Sequence, residues 1–292
     1  MSGRLYKRGA RLTAQLGNPA PGAWFEAFQT VQDTLVITDM RVQFEITRDL
    51  SKAPNRAKLV ITNLSQQTRQ DLQNKRPLRV ALEVGYDGQL EEIFRGDATL
   101  VDSEHDRTNW LTHIQCGDGE RGLANAWIST TLNGASAKDV ITQLAGSIGL
   151  SVPTNIATAK AFFGKLAGGS GITLHGQTAD EMTRVLDSLG YSWSIQGEQL
   201  QVLGPGEVTS DTALLVSQST GMIGVPNYEL PKQPGKPAVL KVKTVAKPQA
   251  VPGRQLLMAS ASINGLFRIE KVVHRGDTMG TQWESEIRAV MI

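Results

Sequence analysis

Four histidines, one cysteine and two pairs of adjacent acids are the side chains here whose types could do chemistry. His105, His113, His175 and His274 each lack a second His or Cys at metal-ligand spacing, and no H-E-x-x-H occurs. We expect structural or surface roles for them. His274 and Asp277 stand close together in "HRGDT", where they are either a piece of an active site or residues at a turn between two strands. Glu91-Glu92 and Asp180-Glu181 are the paired acids. A glycosidase needs two carboxylates facing each other across a bond. Adjacent acids in a strand point to opposite faces, and acids at a helix start favour the helix dipole. Cys116 has no local base to make it a nucleophile and is expected to pack as a small apolar residue. "CGDGERG", from Cys116 to Gly122, lacks the alternating ligands of a calcium loop. "GGSG", from Gly168 to Gly171, is neither a P-loop nor a nucleophile elbow. No catalytic, cofactor-binding or metal residue is assigned, and no cofactor is expected.

Composition narrows the partners. At 292 residues the chain is long enough for about two domains. Thirty Lys and Arg against 28 Asp and Glu leave a formal charge of +2. That is too little to argue for nucleic acid or an anionic membrane as the main partner. The single cysteine excludes an internal disulfide framework and suits a protein made in a reducing cytosol. "MSGRLYKRGARLTAQLG" is basic with no apolar run behind it, so residues 1–30 read as a flexible arm, not a signal peptide. No stretch approaches the roughly 18 apolar residues that cross a bilayer, and a soluble chain without a membrane-spanning segment is expected.

The elements that must position these side chains are mostly strands. "RVQFEIT", "AKLVITNL", "PLRVALEVGYDG", "QLEEIFRGDATLVDSE" and "NWLTHIQCGDG" alternate with period two and are separated by turn signals such as Asp87-Gly88. They predict an antiparallel barrel or sandwich over residues 31–132, interrupted by a helix in "NLSQQTRQDLQNK" capped by Ser65. The period then changes. "ASAKDVITQLAGSIGLSV" from Ala135 and "QTADEMTRVLDSLGYSW" from Gln177 form a faint repeat of helix feeding strand. Capping boxes are predicted at Ser136/Asp139 and Thr178/Glu181, and terminating glycines at Gly149 and Gly190. With a hairpin around Gln196-Gly197 these make a helix-strand module over 133–204. "TGMIGVP" (Thr220 to Pro226) reads as a hinge into a Pro-spaced, strand-rich block over 205–292.

The order of these features resembles the tail hub family of bacteriophages, the late control protein D or baseplate hub proteins, to which the hub part of the type VI secretion spike is related. The resemblance rests on "PNRAKLVITNLS" (Pro54 to Ser65), "VGYDG" (Val84 to Gly88), "IFRGDAT" (Ile93 to Thr99), the "ASAKDVITQLAGSIGLSV" helix, "TGMIGVP" and "NGLFRIEKVVHRGDTMGTQWESEI". It implies a mainly β chain with an α+β insert and two tail-tube-like antiparallel β-barrels. It implies a non-enzymatic homotrimer whose six barrels join the six-fold tail tube, or a distal tail protein, to the three-fold spike and leave a channel for DNA. A place in the virion baseplate follows, after synthesis in the host cytoplasm, with tape measure protein and baseplate wedge as further contacts. The rivals are a tail-tip cell-wall hydrolase working through Glu91, Glu92 or Asp180, and a surface-carbohydrate-binding module.

Overall fold

The structure, a computed structural model, describes residues 7–17, 34–75, 78–150, 152, 171–209, 212–230 and 237–292. Gly168 to Ser170 of the Gly-rich loop, and Pro231 and Pro234 of the Pro-spaced block, lie outside the described residues. The chain forms two compact units. The larger comprises Met1–Asp49, Asn55–Asp118 and Val208–Ile292; the smaller, Leu50–Pro54 and Gly119–Glu207. The insert therefore starts some fourteen residues earlier than the change of period suggests (133 − 119), because Gly119 turns the chain at φ 67° directly into a helix.

The first part of the larger unit runs β1 (Arg8–Leu16), β2 (Thr34–Ile37), β3 (Val42–Asp49), β4 (Arg56–Thr62), α1 (Gln66–Asn74), β5 (Leu78–Tyr86), β6 (Gln89–Asp106) and β7 (Asn109–Gly117). The N-terminal arm expectation fails at β1. Its Leu12, Ala14 and Leu16 alternate into the core, and nine residue pairs join it to β5, while Arg11 on the other face pairs with Glu83 at 2.5 Å. Basic residues had masked a strand of period two. Asp87 and Gly88 close the β5–β6 hairpin with φ of 50° and 80°, the left-handed pair such a turn needs. The Ser65 hydroxyl accepts the Thr68 amide at 3.1 Å and starts α1 as predicted.

The smaller unit holds α2 (Glu120–Asn125), β8 (Trp127–Leu132), α3 (Ala137–Ile148), β9 (Ile172–Gln177), α4 (Thr178–Leu189), β10 (Ser192–Gln196) and β11 (Gln199–Leu203). Val140, Leu144, Met182, Leu186, Trp193 and Leu200 form its core. The box at Ser136/Asp139 is present; that at Thr178 is not. Thr178 lies inside the helix, fully buried, and its hydroxyl accepts from Ser147 at 3.1 Å. Gly149 and Gly190 end the two helices at φ 82° and 78°. The β10–β11 turn is Gly197–Glu198, one residue beyond its predicted centre.

The remainder of the larger unit is β12 (Leu214–Ser217), β13 (Met222–Glu229), β14 (Val239–Val245), β15 (Gln255–Ala259), β16 (Asn264–Asp277) and β17 (Trp283–Met291). "TGMIGVP" is not a hinge: it is a 3-10 turn followed by the edge strand β13, whose register slips between Ile223 and Asn227. All strands of this unit form one 13-stranded sheet. Its first half has the order β3-β4-β7-β6-β5-β1 and its second half β13-β14-β17-β16-β15-β12. The strand order is the same in both, apart from β2, which pairs with β1 and has no counterpart among the described residues, and β12, which runs parallel to β15 where β1 is antiparallel to β5. The two expected barrels do not appear as closed ladders among the described residues. The edge of β3 that would close the first is paired instead with β16, over Asp49↔Lys271 to Gln43↔Asp277.

Candidate assembly site

The predicted chemical residues do not converge. His274 is fully buried in mid-strand β16 and faces the opposite side of the sheet from Asp277, three residues on. Its Nδ1 lies 2.7 Å from the Ser285 hydroxyl, which also accepts the Lys247 amide at 3.0 Å. A fully buried ring hydrogen-bonded to a hydroxyl is assigned as a neutral imidazole, with Nδ1 facing Ser285 and Nε2 buried without a hydrogen-bond partner among the described residues. Burial, reinforced by the charge of Arg48, pushes the His274 pKa down to about 3. Asp277 starts the β16–β17 loop. Its carboxylate takes two hydrogen bonds from Arg41 (2.7 and 3.1 Å), one from Gln43 (3.2 Å) and one from the Met279 amide (3.0 Å), and Arg41, with the Met279 amide, holds its pKa below the usual carboxylate range. It is a clamp between the half-sheets.

The other candidates are dispersed. Glu92 pairs with Arg95 at 2.6 Å, and Glu91 accepts from Gln249 at the rim of a cleft of about 520 Å³ that also contains Tyr86, Lys247 and Trp283. Asp180 and Glu181 sit in the first turn of α4, Glu181 paired with Arg184. Cys116 is buried in the first-half core. His113 pairs with Glu104 at 3.0 Å, His105 stacks edge-on against Trp110, and His175 meets Ser129 at 3.2 Å. Among the described residues no group of His, Cys, Asp and Glu is placed to hold a metal, and no helix is long and apolar enough to cross a membrane.

What the structure does bring together is a joint. Trp283, 4% exposed, packs edge-on against Phe44 of β3 (ring centroids 5.4 Å) and Tyr86 (6.2 Å), with the Arg8 guanidinium 5.6 Å from its ring. Gly276 permits this closeness, since a Cβ there would lie 2.3 Å from the Phe44 ring. Thr278 completes the stitching through its amide to the Val42 carbonyl and its hydroxyl to the Met40 carbonyl.

The same joint exists in outline, unfilled, in the first half. β6 and β16 each carry one extra residue against their hairpin partner, Thr99 and Glu270. Counting from these bulges sets Val101 on Val272, Ser103–Thr112 on His274–Ser285, His105 on Gly276 and Trp110 on Trp283. "NWLTHIQC" (Asn109 to Cys116) thus matches "QWESEIRA" (Gln282 to Ala289), a repeat that reading for strands alone passed over. Yet Trp110 is 39% exposed, with Arg69 over its ring at 4.0 Å, and among the described residues no strand pairs with the Leu100–Asp106 edge on the side away from β7. The counterpart of β3 is β13, a sheet edge among the described residues. It exposes Ile223, Val225 (80%) and Tyr228, with Leu230 just beyond, and places its bulged Gly224 to Pro226 where β3 has Phe44.

The fold has clear relatives among solved structures. A tail protein from Neisseria meningitidis MC58 superposes with a TM-score of 0.64 over 97% of this chain and 96% of its own, at 13% identity. The 43 kDa tail protein of prophage MuSo2 from Shewanella oneidensis gives 0.62 over 96% of each chain, at 10% identity. A chain of the Francisella PdpA-VgrG complex gives 0.63 over 98% of this chain and 58% of its own, at 8% identity. No protein-family model and no curated protein matches the sequence. At these identities the likeness establishes a common fold, that of phage tail proteins and VgrG-type chains.

Proposed function

We propose that this chain is a non-enzymatic structural subunit of a phage tail baseplate, the homotrimeric hub that joins the six-fold tail tube to the three-fold central spike and leaves a channel for DNA. One observation carries the reading: a half-sheet is repeated within the chain, and of two equivalent joints one is filled and one is open. β3 covers Trp283; nothing equivalent covers Trp110 among the described residues. The open joint is completed when β13 of one copy lies along Leu100–Asp106 of the next, as β3 lies along Lys271–Asp277. Such a contact is heterologous, so it makes a ring when the rotation closes. Two half-sheets per chain then give six near-equivalent positions from three copies. The exposed Leu100, Ile223, Val225 and Tyr228 would be covered, and two edges that are unpaired among the described residues, and that would invite uncontrolled association, would be used. In this assignment the tube or a distal tail protein contacts one end of the ring and the spike the other, within the virion. Wedge and tape measure proteins are the further neighbours. The likeness to tail proteins and VgrG-type chains over nearly the whole length supports the same reading. The hydrolase alternative gains nothing from Glu91, Glu92 and Asp180: Glu91 accepts from Gln249, Glu92 is bound to Arg95, and Asp180 sits in the first turn of α4.

Native mass spectrometry of the purified chain, alone and with its tube and spike partners, tests this. Three copies are expected, and Leu100→Lys combined with Val225→Lys should return the chain to single copies with its circular dichroism intact. A fixed count of one or six, or a trimer indifferent to both lysines, would count decisively against the proposal.

A further inference from the structure

In the smaller unit, the ribbon β8–β9 buries one face and bares the other. Ile128 and Leu174 enter the core, while Trp127, Ser129 and Thr131 alternate outward opposite Gln177, His175 and Thr173. All six outward residues are exposed. Trp127, at 61%, is the most exposed of the described tryptophans. Trp110 has a guanidinium over its ring, whereas Trp127 meets His175 edge-on, centroids 5.7 Å apart at 87°. The polar groups on the same face are hydrogen-bonded in pairs: His175 Nδ1 lies 3.2 Å from the Ser129 hydroxyl, and the Thr131 and Thr173 hydroxyls lie 3.2 Å apart. The face carries no Lys, Arg, Asp or Glu. Arg184, at its margin, is engaged with Glu181 and with the Thr173 carbonyl.

This chemistry selects among occupants. A nucleic acid needs cations along the strand, and the face has none. The centre of a protein interface gathers several aromatic or aliphatic anchors, whereas here a single indole stands among hydroxyls, an amide and an imidazole. An uncharged polyol with one apolar face meets both halves of the surface. The negative face of the indole attracts the weakly positive axial C–H groups of a pyranose. Gln177, Ser129, His175 and the threonines can exchange hydrogen bonds with its hydroxyls. We propose that the outer face of β8–β9 is a binding site for a neutral saccharide, with Trp127 as the stacking platform and Gln177 and Ser129 as orienting partners. The proposal does not depend on the tail reading.

The test titrates the full-length protein with soluble cellohexaose, maltohexaose and chitotetraose, followed by calorimetry and tryptophan fluorescence. At least one sugar should bind, Trp127→Ala should weaken it roughly tenfold or more, the loss of one aromatic stack, and Gln177→Ala should weaken it several-fold. Trp110→Ala should leave it unchanged. No binding by any of the three sugars overturns the proposal, as does binding that survives Trp127→Ala or is matched by heparin. If Trp127→Ala instead alters the copy number of the assembly, the face is a subunit contact and the saccharide assignment is wrong, whatever becomes of the hub.

Discussion

The two half-sheets of the larger unit share a strand order and a bulge, yet they treat the same positions differently. At the first, Trp110 lies half-open beside His105, after a two-residue turn at Arg107-Thr108. At the second, Trp283 is sealed beside Gly276, and the longer Thr278–Gln282 loop reaches Met40–Val42. The polar pair on the hairpin changes from Ser103–Thr112 to His274–Ser285. The contrast teaches that connectivity specifies the half-sheet, and a few substitutions specify whether its edge is met from within the chain. Because β3 and β16 form one ladder, the halves should also share their stability. Phe267→Ala, in the second-half core, should cost about 3–5 kcal/mol and speed amide hydrogen exchange in β4 and β7 as well as in β14 and β17. Exchange confined to the second half would mean that the common ladder does not couple them.

The equivalent positions 105 and 276 allow a sharper comparison. Gly276→Val drives a side chain into the Phe44 ring and should destabilise by roughly 1–3 kcal/mol or more. His105→Val, exposed in the single chain, should stay within about 0.5 kcal/mol. Denaturant unfolding of both variants measures the difference, and equal effects would remove the distinction between a filled and an open joint.

The polar pair provides a pH handle. His274 titrates near 6.5 when unfolded and at about 3 when folded, so the unfolded chain takes up the proton first and stability falls as pH drops from 6.5 towards 3. The slope is at most about 1.4 kcal/mol per pH unit. Asp277, held down chiefly by Arg41, adds a loss of the same sign only at the acid end, below the usual carboxylate pKa. His274→Gln should flatten the fall between pH 6 and 4 on the order of a unit's worth of slope, whereas Ser103→Ala should leave it unaltered. An unchanged acid limb in the His274 variant would show that the imidazole is not buried neutral.

The period-two runs made the strands legible, because a strand with one face buried must alternate. The caps at Ser65, Ser136, Gly149 and Gly190 were legible because each satisfies helix-end groups locally. What failed was long-range. Whether β3 closes on its own half or pairs with β16 depends on partners more than two hundred residues apart, and nothing in "RVQFEIT" encodes the choice. β1 was hidden by arginines whose charges sit on the exposed face. The joint itself left a trace in the paired Trp motifs at Trp110 and Trp283, recoverable only once the bulges fixed the register. Trp127 left none: its neighbours His175 and Gln177 are some fifty residues away, and the ribbon register alone sets them together.

The smallest expected difference concerns the outer charged face. Across the second half and into the first, Glu229, Lys241, Glu286, Arg275 and Glu45 alternate in sign on β13, β14, β17, β16 and β3, each within 3.7 Å of the next. The first half continues with Lys58 and Gln115, where the alternation ends. Networks exceed isolated pairs, but these side chains are partly solvated, so Lys241→Ala should cost about 0.5–1 kcal/mol in dilute buffer. The cost should shrink towards zero in molar salt, where screening acts within a few ångströms. Lys58→Ala, at a position that continues the alternation but forms no ion pair among the described residues, should change neither stability nor its salt dependence. A Lys241 effect that persists in high salt would place its value in the packing of its methylenes against β17, and the charge alternation would then not distinguish the halves at all.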